Sequence, residues 1–353
     1  MAEAKTLGFW QHPNRNKLTI RREPNELTYS HEGNLTTMLS RIAEKMYWFG
    51  RYVERAENTA RIINVNTNLI MDLPRVKHIW SSLIEITGCE QEFQNRFTVV
   101  DERNVIKFLL LDDFHSIKSA VSNARENART SREIMPAEAW EGINELHLYI
   151  KNNGEQGLKR TGRHEFLSEV LSQCHQLTGL LAGSMSDDVA YNFIKLGRHL
   201  ERADMTTRIT DVGCLNLLDT TRIELQDYDN ILWMNVLRSL NAYQMYRQNV
   251  QDRVNGEDVV DFLLKNRKFP RAVAHCLSEA QVCCDALPNE DQTLRSITHA
   301  IRTVDTDVIR LLTEHKLHNF IDDIQLELAD IHNTIAASWF SYKINEDVLD
   351  TAN

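Results

Sequence analysis

From about Met38 almost to the end of the chain, hydrophobic residues recur every three or four positions. This spacing places them on one face of an α-helix, and no segment shows the alternation of a half-buried β-strand. The longest seam is near the end of the chain, where a 4-3-4-3-4 spacing relates Leu317, Ile321, Ile324, Leu328, Ile331 and Ile335. The pattern predicts an all-α helical bundle with a long C-terminal helix at about 317–342.

Polar and glycine-containing segments interrupt this helical pattern. Residues 1–37 are polar and aperiodic, which predicts a partly disordered N-terminal arm ahead of a helical domain at 38–345. The sequence NNGEQGLKRTG at 152–162 holds three glycines and predicts a linker near the middle of that domain. Further helix ends are predicted at Asn255-Gly256 and at Pro288.

Two segments of the chain repeat the same charged phrase. FGRYVERAENTARIINV (Phe49–Val65) and LGRHLERADMTTRITDV (Leu196–Val212) align without a gap. Nine of the sixteen positions that start at Gly50 and Gly197 are identical, where unrelated sequences would share about one. This similarity indicates that a segment of the chain has been duplicated.

A second repeated pair supports duplication. VIKFLLLDDF (Val105–Phe114) resembles VVDFLLKNRKF (Val259–Phe269), with one inserted residue and nearly the same shift along the chain. Because the two pairs occur in the same order, the sequence predicts two related halves at about 38–150 and 164–288. C-terminal helices at 289–345 would complete a pseudo-two-fold helical bundle.

The polar positions of the two phrases form one stripe along each predicted helix. The charged stripe consists of Arg51, Glu54, Arg55, Asn58 and Arg61 in the first copy and Arg198, Glu201, Arg202 and Arg208 in the second. Exposed charged residues contribute little to stability, so they would be expected to differ between the two copies. Because the same charged residues occur in both copies, a solvated helix face is disfavoured. A buried ion network and an anion-binding cleft both remain, and the network is slightly preferred. In the cleft alternative, Arg125 and Arg129 would join from another helix.

Composition narrows the class of protein. Only 13 glycines and 6 prolines occur among 353 residues, as expected for long helices. The net charge of −10 argues against general binding to nucleic acids or anionic membranes. Neither a signal peptide nor a transmembrane segment is predicted, which makes a cytoplasmic location the expectation. The six cysteines lack metal-site or disulfide spacing and are interpreted as small core residues.

Several motifs together resemble the alpha-E domain, a bacterial all-helical family named for its Glu-Arg motif. They are MLSRIAEKMYWFGRYVERAENTARIINV, ARENART, Trp140-Glu141, MSDDVAYNFIKLGRHLERADMTTRITDV and FLLKNRKFPRAVAHCL. The resemblance covers about 38–342. It implies an association with a circularly permuted ATP-grasp protein and with a transglutaminase-like peptidase system. It therefore implies a role in forming or trimming peptide-like amide bonds, and it supplies no catalytic residue.

Other chemistry finds little support in the sequence. The acid pairs Glu54/Glu57 and Glu201/Asp204 lack the Glu-x-x-His motif of di-iron bundles, so neither a metal nor another cofactor is predicted. No phosphate-binding loop or nucleophile motif is present. The favoured function is a non-catalytic or substrate-binding component of an ATP-grasp amide-ligase system, which binds a carboxylate, a phosphate or the ligase itself. An enzyme that acts on a peptide-like acid and a purely structural scaffold are the alternatives, and assembly with a second copy is left open.

Overall fold

The computed structural model describes residues 31–72, 79–218, 229–305 and 314–340, and all regular structure in these ranges is helical. In chain order the helices are α1 (His31–Asp72), α2 (Ile79–Thr87), α3 (Glu90–Gln94), α4 (Glu102–Leu111), α5 (Ile117–Arg129), α6 (Ala137–Leu158), α7 (Arg160–Ser184), α8 (Val189–Leu218), α9 (Asp229–Ser239), α10 (Tyr243–Asn249), α11 (Gly256–Lys265), α12 (Val273–Asp285), α13 (Asp291–Val304) and α14 (Glu314–Ile335). A π-helical turn at Ala336–Phe340 follows α14. The all-α prediction and the long C-terminal helix are confirmed. Residues 1–30 of the predicted arm lie outside the described residues.

Helices α1 and α8, which carry the repeated charged phrases, pack against each other at the centre of the bundle. Around them the same packing partners recur. Helix α1 packs on α5 and α7, and α8 packs on α12 and α14. Helix α6 joins α5 to α7, as α13 joins α12 to α14. This arrangement agrees with two related halves, while the pseudo-two-fold relation itself stays a prediction.

The helices of the second repeated pair begin at equivalent caps. The Asp101 side chain accepts a hydrogen bond from the Asn104 amide at 2.9 Å at the start of α4. The Asn255 side chain accepts one from the Asp258 amide at 2.8 Å at the start of α11. Each cap satisfies a backbone donor that the first turn leaves open. The predicted break at Asn255-Gly256 is thus a helix start.

The predicted linker at 152–162 is wrong, because α6 runs through most of it and only Lys159 separates α6 from α7. Its glycines serve helix packing instead. A Cβ added to Gly154 would lie 2.6 Å from Leu111 Cδ2, and one added to Gly157 would lie 2.7 Å from Phe166 Cδ1. Glycine here allows close approach of neighbouring side chains, a use that a sequence does not distinguish from a break.

The closest approach in the centre lies where α1 crosses α8. A Cβ added to Gly50 would overlap the carbonyl oxygen of Ile194, and one added to Gly197 would overlap the carbonyl oxygen of Tyr47. Each repeated glycine therefore faces the backbone of the opposite helix. Their identity in both phrases follows from this crossing, since any side chain would push the two backbones apart.

Candidate functional site

The charged stripes of α1 and α8 face each other and are buried, so the solvated-face interpretation does not hold. Glu201 lies at the centre of this contact. Arg51 Nε donates to Glu201 Oε2 at 2.7 Å, and Arg55 donates to both carboxylate oxygens, at 2.6 Å from Nε and 3.0 Å from Nη2. Burial alone would raise the pKa of Glu201, but Arg55 and Arg51 outweigh it and lower the pKa to about 2. This central ion group links α1 to α8.

Glu54 occupies the corresponding position on α1 and binds two arginines from other helices or loops. Arg202 Nε lies 2.9 Å from Glu54 Oε2. Arg271, in the segment before α12, donates from Nη1 to Glu54 Oε1 at 2.8 Å and to Asn58 Oδ1 at 2.6 Å. Asn58 is 1% exposed and its amide nitrogen has no hydrogen-bond partner among the described residues. Arg271 thereby ties α12 to the centre of the bundle.

Glu57 brings the network to the surface of α7. Its Oε1 accepts from Arg61 Nη2 at 2.7 Å and also binds Arg271 Nη2. His175 Nε2 lies 3.0 Å from the same oxygen, and about half of its side chain is exposed. Burial opposes ionisation of Glu57, but Arg271 and the contact with His175 hold its pKa well below the usual range. Glu57 is therefore a fixed negative charge and not a proton donor at neutral pH.

Positive charge exceeds negative charge across the connected and adjoining groups. We use "Arg–Glu network" for the arginines Arg51, Arg55, Arg61, Arg198, Arg202, Arg208 and Arg271 together with the carboxylates Glu54, Glu57, Glu201 and Asp204. Seven cationic side chains thus meet four anionic ones, and the charges of Asp211 and Glu90 act on Arg208 from outside this set. Buried charges require compensation, so an excess of arginine favours an additional anion.

The uncompensated charge lies on α8. Among the described residues Arg198 has no carboxylate partner, and its Nε is buried without a hydrogen bond. Burial, followed by the charge of Arg202, lowers the pKa of Arg198, and the charge of Glu54 opposes this only in part. His199 is 5% exposed, and its Nδ1 also lacks a partner in the described part of the chain. Burial, followed by the charges of Arg198, Arg202, His275 and Lys195, lowers the pKa of His199, although Lys195 and Arg202 each have a carboxylate partner of their own. We use "α8 basic cluster" for Lys195, Arg198, His199 and Arg202 of α8 together with His275 of α12.

On the opposite side of Arg51 the network continues into an aromatic layer. Tyr47 Oη lies 3.4 Å from Arg51 Nη1 and 2.8 Å from His332 Nδ1. Burial lowers the pKa of His332 to about 3, with the charge of Arg51 acting in the same direction. His332 is therefore neutral at physiological pH, and its Nδ1 accepts a hydrogen bond from the Tyr47 hydroxyl. This contact joins α14 to α1.

The model of the Alpha-E family, described as a predicted alpha-helical domain with a conserved ER motif, matches residues 38–340. The chain belongs to the Alpha-E family. Two uncharacterised proteins, from Mycobacterium bovis and Mycobacterium tuberculosis, are each 20% identical over 319 residues, which cover 84% of this chain and 35% of theirs. The chain thus spans about a third of the length of these relatives. No solved structure matches.

Each repeated phrase of this Alpha-E domain contains one Glu-Arg pair, Glu54-Arg55 in the first copy and Glu201-Arg202 in the second. Each glutamate binds the arginine of the other copy, because Arg55 contacts Glu201 and Arg202 contacts Glu54. The motif therefore works across the α1–α8 contact and not within one helix. This reciprocal pairing gives a physical reason for the presence of both residues in both copies.

Three predicted arginines of the Alpha-E domain have partners other than Glu54 and Glu201. Arg125 Nε donates to Asn144 Oδ1 at 2.7 Å, and its guanidinium lies 5.3 Å from the Trp140 ring centre. Arg129 pairs with Glu126 on the exposed face of α5. Arg208 pairs with Asp204 on its own helix, with Nε 3.0 Å from both carboxylate oxygens. The structure therefore gives no support to a role for Arg125 and Arg129 in the network.

Sequence reasoning missed Arg271, Tyr47 and His332, and it also missed Lys195, His199 and His275 of the α8 basic cluster. Arg271 lies in the quoted motif FLLKNRKFPRAVAHCL, which could have signalled it, although Glu54 is 217 residues away. Tyr47 lies one helical turn before Arg51 within the first quoted motif, whereas His332 lies far from any charged motif of the set. All six cysteines are free and buried, and burial raises the pKa of each thiol. A reactive thiolate is therefore not supplied by the fold alone.

The lowered pKa of His332 predicts that the Alpha-E domain loses stability in mild acid. Because the unfolded chain takes up a proton near pH 6.5 and the folded chain near pH 3, this contribution is complete above pH 6.5 and decreases below it. Between pH 7 and pH 5 the free energy of unfolding should fall by about 2 kcal/mol through this group. His332→Gln keeps an acceptor and should remove that part of the fall, measured by urea unfolding at both pH values.

The control for this prediction is His164→Gln, which changes an exposed histidine on α7. It should leave the difference in unfolding free energy between pH 7 and pH 5 as in the wild type. An equal fall in the wild type and in His332→Gln would refute the assignment of this pH dependence to His332.

In the described part of the chain no helix has both the length and the apolar character needed to cross a membrane.

Proposed function

We propose that this Alpha-E domain is an anion-binding, non-catalytic component of a system that forms peptide-like amide bonds around a circularly permuted ATP-grasp ligase. The observation that carries the anion-binding part is Arg198. It is a largely buried cation without a carboxylate partner in the described structure, and it lies beside Arg202 and the orphaned Nδ1 of His199. Such a site lacks one negative charge that a ligand would supply.

The chemistry of the proposed partner matches this site. An ATP-grasp ligase activates a carboxylate as an acyl phosphate, which an amine then attacks. Arginine binds both carboxylates and phosphates through paired N–H donors. The α8 basic cluster would thus bind the acidic end of a peptide-like substrate, the acyl phosphate or an acidic segment of the ligase.

The central part of the network supports an architectural role and not catalysis. Glu54 and Glu201, the acid–base candidates in the enzyme alternative, are 1% and 0% exposed and are held by two arginines each. A carboxylate in this position does not reach a substrate. The structural-scaffold alternative therefore accounts for the centre, and ligand binding is assigned to the edge at Arg198.

The greater length of the mycobacterial relatives supports the proposal that the Alpha-E domain acts together with another protein component. Because the matched region is 35% of each relative, the Alpha-E domain is there part of a longer chain. This is what fusion to another component would produce. A transglutaminase-like peptidase is a further proposed member of the system. The proposed location is the cytoplasm. Whether two copies of this chain assemble is a separate question, which size-exclusion chromatography of this chain alone answers.

Co-expression with a circularly permuted ATP-grasp protein from the same organism tests the partnership. We expect co-elution in size-exclusion chromatography and a change in the rate of ATP hydrolysis when this chain is added. The ATP-grasp protein alone and this chain alone are the controls. Separate elution with an unchanged rate would contradict the partnership and leave anion binding to be judged by itself.

Arg198→Gln tests anion binding. We expect inorganic phosphate or succinate, titrated calorimetrically, to bind the wild-type protein and to bind this variant at least about tenfold more weakly. Because Arg198 has no ion pair to lose, the melting temperature should be unchanged or higher. Arg129→Gln, which removes an exposed arginine, should bind as the wild type does. No binding to the wild type, or equal binding to Arg198→Gln, would contradict the proposal.

A further inference from the structure

A second group of functional side chains lies outside the Arg–Glu network. Cys89, Glu92 and His115 each offer one ligand atom, and the three atoms lie within 4.8 Å of one another. Cys89 and Glu92 are one helical turn apart at the start of α3, and His115 comes from the loop before α5. Three different ligand types from two separate segments therefore meet at one point.

The size of this group suits a metal ion. A triangle with sides of that length or less has a centre within about 2.8 Å of every corner, so small side-chain movements reach zinc–ligand distances of about 2.0–2.3 Å. A thiolate and a carboxylate would balance the two charges of a divalent ion. Sulfur and imidazole ligands together favour zinc and its neighbours over magnesium or calcium.

The backbone that carries these ligands is fixed by its own hydrogen bonds. Gly88, with a φ of 62°, turns the chain from α2 into α3 and leads directly to Cys89. The Ser116 and Ser119 side chains form a capping box that anchors the residue next to His115. Asp112 accepts the Phe114 amide at 3.0 Å and pairs with Arg96, which ties the His115 loop to the end of α3. Such support holds ligands in place without the ion.

The side chains around the group leave one side open. Cys89 is 1% exposed and its Sγ donates to the Thr87 carbonyl oxygen at 3.2 Å, whereas the partly exposed side chains of Glu92 and His115 make no hydrogen bond within the described structure. Arg55 acts electrostatically on both Cys89 and His115, so the inner side borders the Arg–Glu network. Three protein ligands with an accessible fourth position are typical of zinc sites that bind water or substrate.

A second group of three candidate ligands consists of Asp211, His318 and Asp322, and these residues already pair with one another. His318 Nδ1 lies 2.8 Å from Asp211, and its Nε2 lies 3.5 Å from Asp322. Both ring nitrogens therefore already face carboxylates, and hydrogen bonding to Asp211 with the charge of both carboxylates outweighs burial to raise the pKa of His318. Ion pairing explains this group completely.

We propose that Cys89, Glu92 and His115 form a zinc-class metal site with an open coordination position.

Titration of metal-free protein with Co²⁺ tests this proposal. We expect one equivalent to bind and to give the sulfur-to-cobalt charge-transfer absorption of a thiolate ligand, and Zn²⁺ to displace it. Glu92→Gln and His115→Gln, which change partly exposed residues, should weaken binding at least about tenfold while the circular dichroism spectrum is kept. Cys89→Ala should remove the charge-transfer band.

Two variants serve as controls. Cys276→Ala removes another buried thiol, and His318→Gln disrupts the ion-paired group, so both should bind Co²⁺ as the wild type does. Absence of the band in the wild type, or its persistence in Cys89→Ala, would overturn the proposal. Loss of binding in His318→Gln alone would likewise overturn it and place the ion elsewhere.

Discussion

Gly50→Ala and Gly197→Ala should each lower the free energy of unfolding by at least about 3 kcal/mol. At both positions the added methyl group meets backbone of the opposite helix, and backbone cannot rotate away as a side chain can. The methyl group added at Gly50 would also lie 3.0 Å from the Ile194 carbonyl carbon and 3.2 Å from the Arg198 nitrogen. Separation of α1 and α8 would stretch the ion pairs between them. Urea unfolding monitored by circular dichroism measures the effect.

The same substitution elsewhere in the chain provides the control. Gly179 and Gly183 are exposed on α7, and nothing lies within 4 Å of a Cβ built on either. Alanine there should stabilise by about 0.5–1 kcal/mol, because glycine is the poorer helix former. The double variant at Gly50 and Gly197 should cost less than the sum of the single variants, since one separation of the helices relieves both overlaps. A Gly50→Ala protein as stable as the wild type would contradict the crossing geometry.

The helical fold was predictable because its signal is local. Apolar spacing along α14 is set by contacts one turn apart, so the seam that begins at Leu317 places the helix to within a few residues. Glycine carries an ambiguous signal, however. Gly154 and Gly157 predicted a linker, yet they lie inside α6 where other helices approach closely. Which meaning applies depends on tertiary packing that a single sequence does not contain.

The candidate site was predictable only where the chain repeats itself. The agreement of Glu54 with Glu201 and of Arg55 with Arg202 indicated a geometric role, and the reciprocal pairing between copies supplies it. Arg271 has no such internal copy. Its contact with Glu54 joins residues far apart in the chain, and only the fold brings them together. Residues that lie far apart in the chain form no motif with a fixed spacing, so their contact is not visible in the sequence. The same holds for Cys89 and His115.

The network and the basic cluster carry two different kinds of arginine. Arg51 and Arg55 each bind a carboxylate between two helices, so their removal should change stability. Arg198 binds no carboxylate in the described structure, so its removal should change ligand binding. Measurement of both properties for each variant therefore separates architecture from binding, which a stability measurement alone does not.

Glu201→Gln should lower the free energy of unfolding by about 3–5 kcal/mol at neutral pH. Glutamine keeps one acceptor and nearly the same volume, but it removes the negative charge between Arg51 and Arg55. Two guanidinium groups would then remain buried without compensation. The cost should decrease as the pH falls from about 4.5 towards 2, because Glu201 of the wild type, with its pKa of about 2, loses its own advantage over the unfolded state in that interval.

The control for Glu201 is Glu126→Gln, which breaks an exposed pair with Arg129 and should cost no more than about 0.5 kcal/mol. A triple variant, with Glu201→Leu, Arg51→Met and Arg55→Met, should be more stable than Glu201→Gln, since no charge is left unpaired. If Glu201→Gln instead unfolded with the wild-type free energy, the central group would not hold α1 against α8. Glu201 would then have to be reconsidered as a ligand-binding or reacting group.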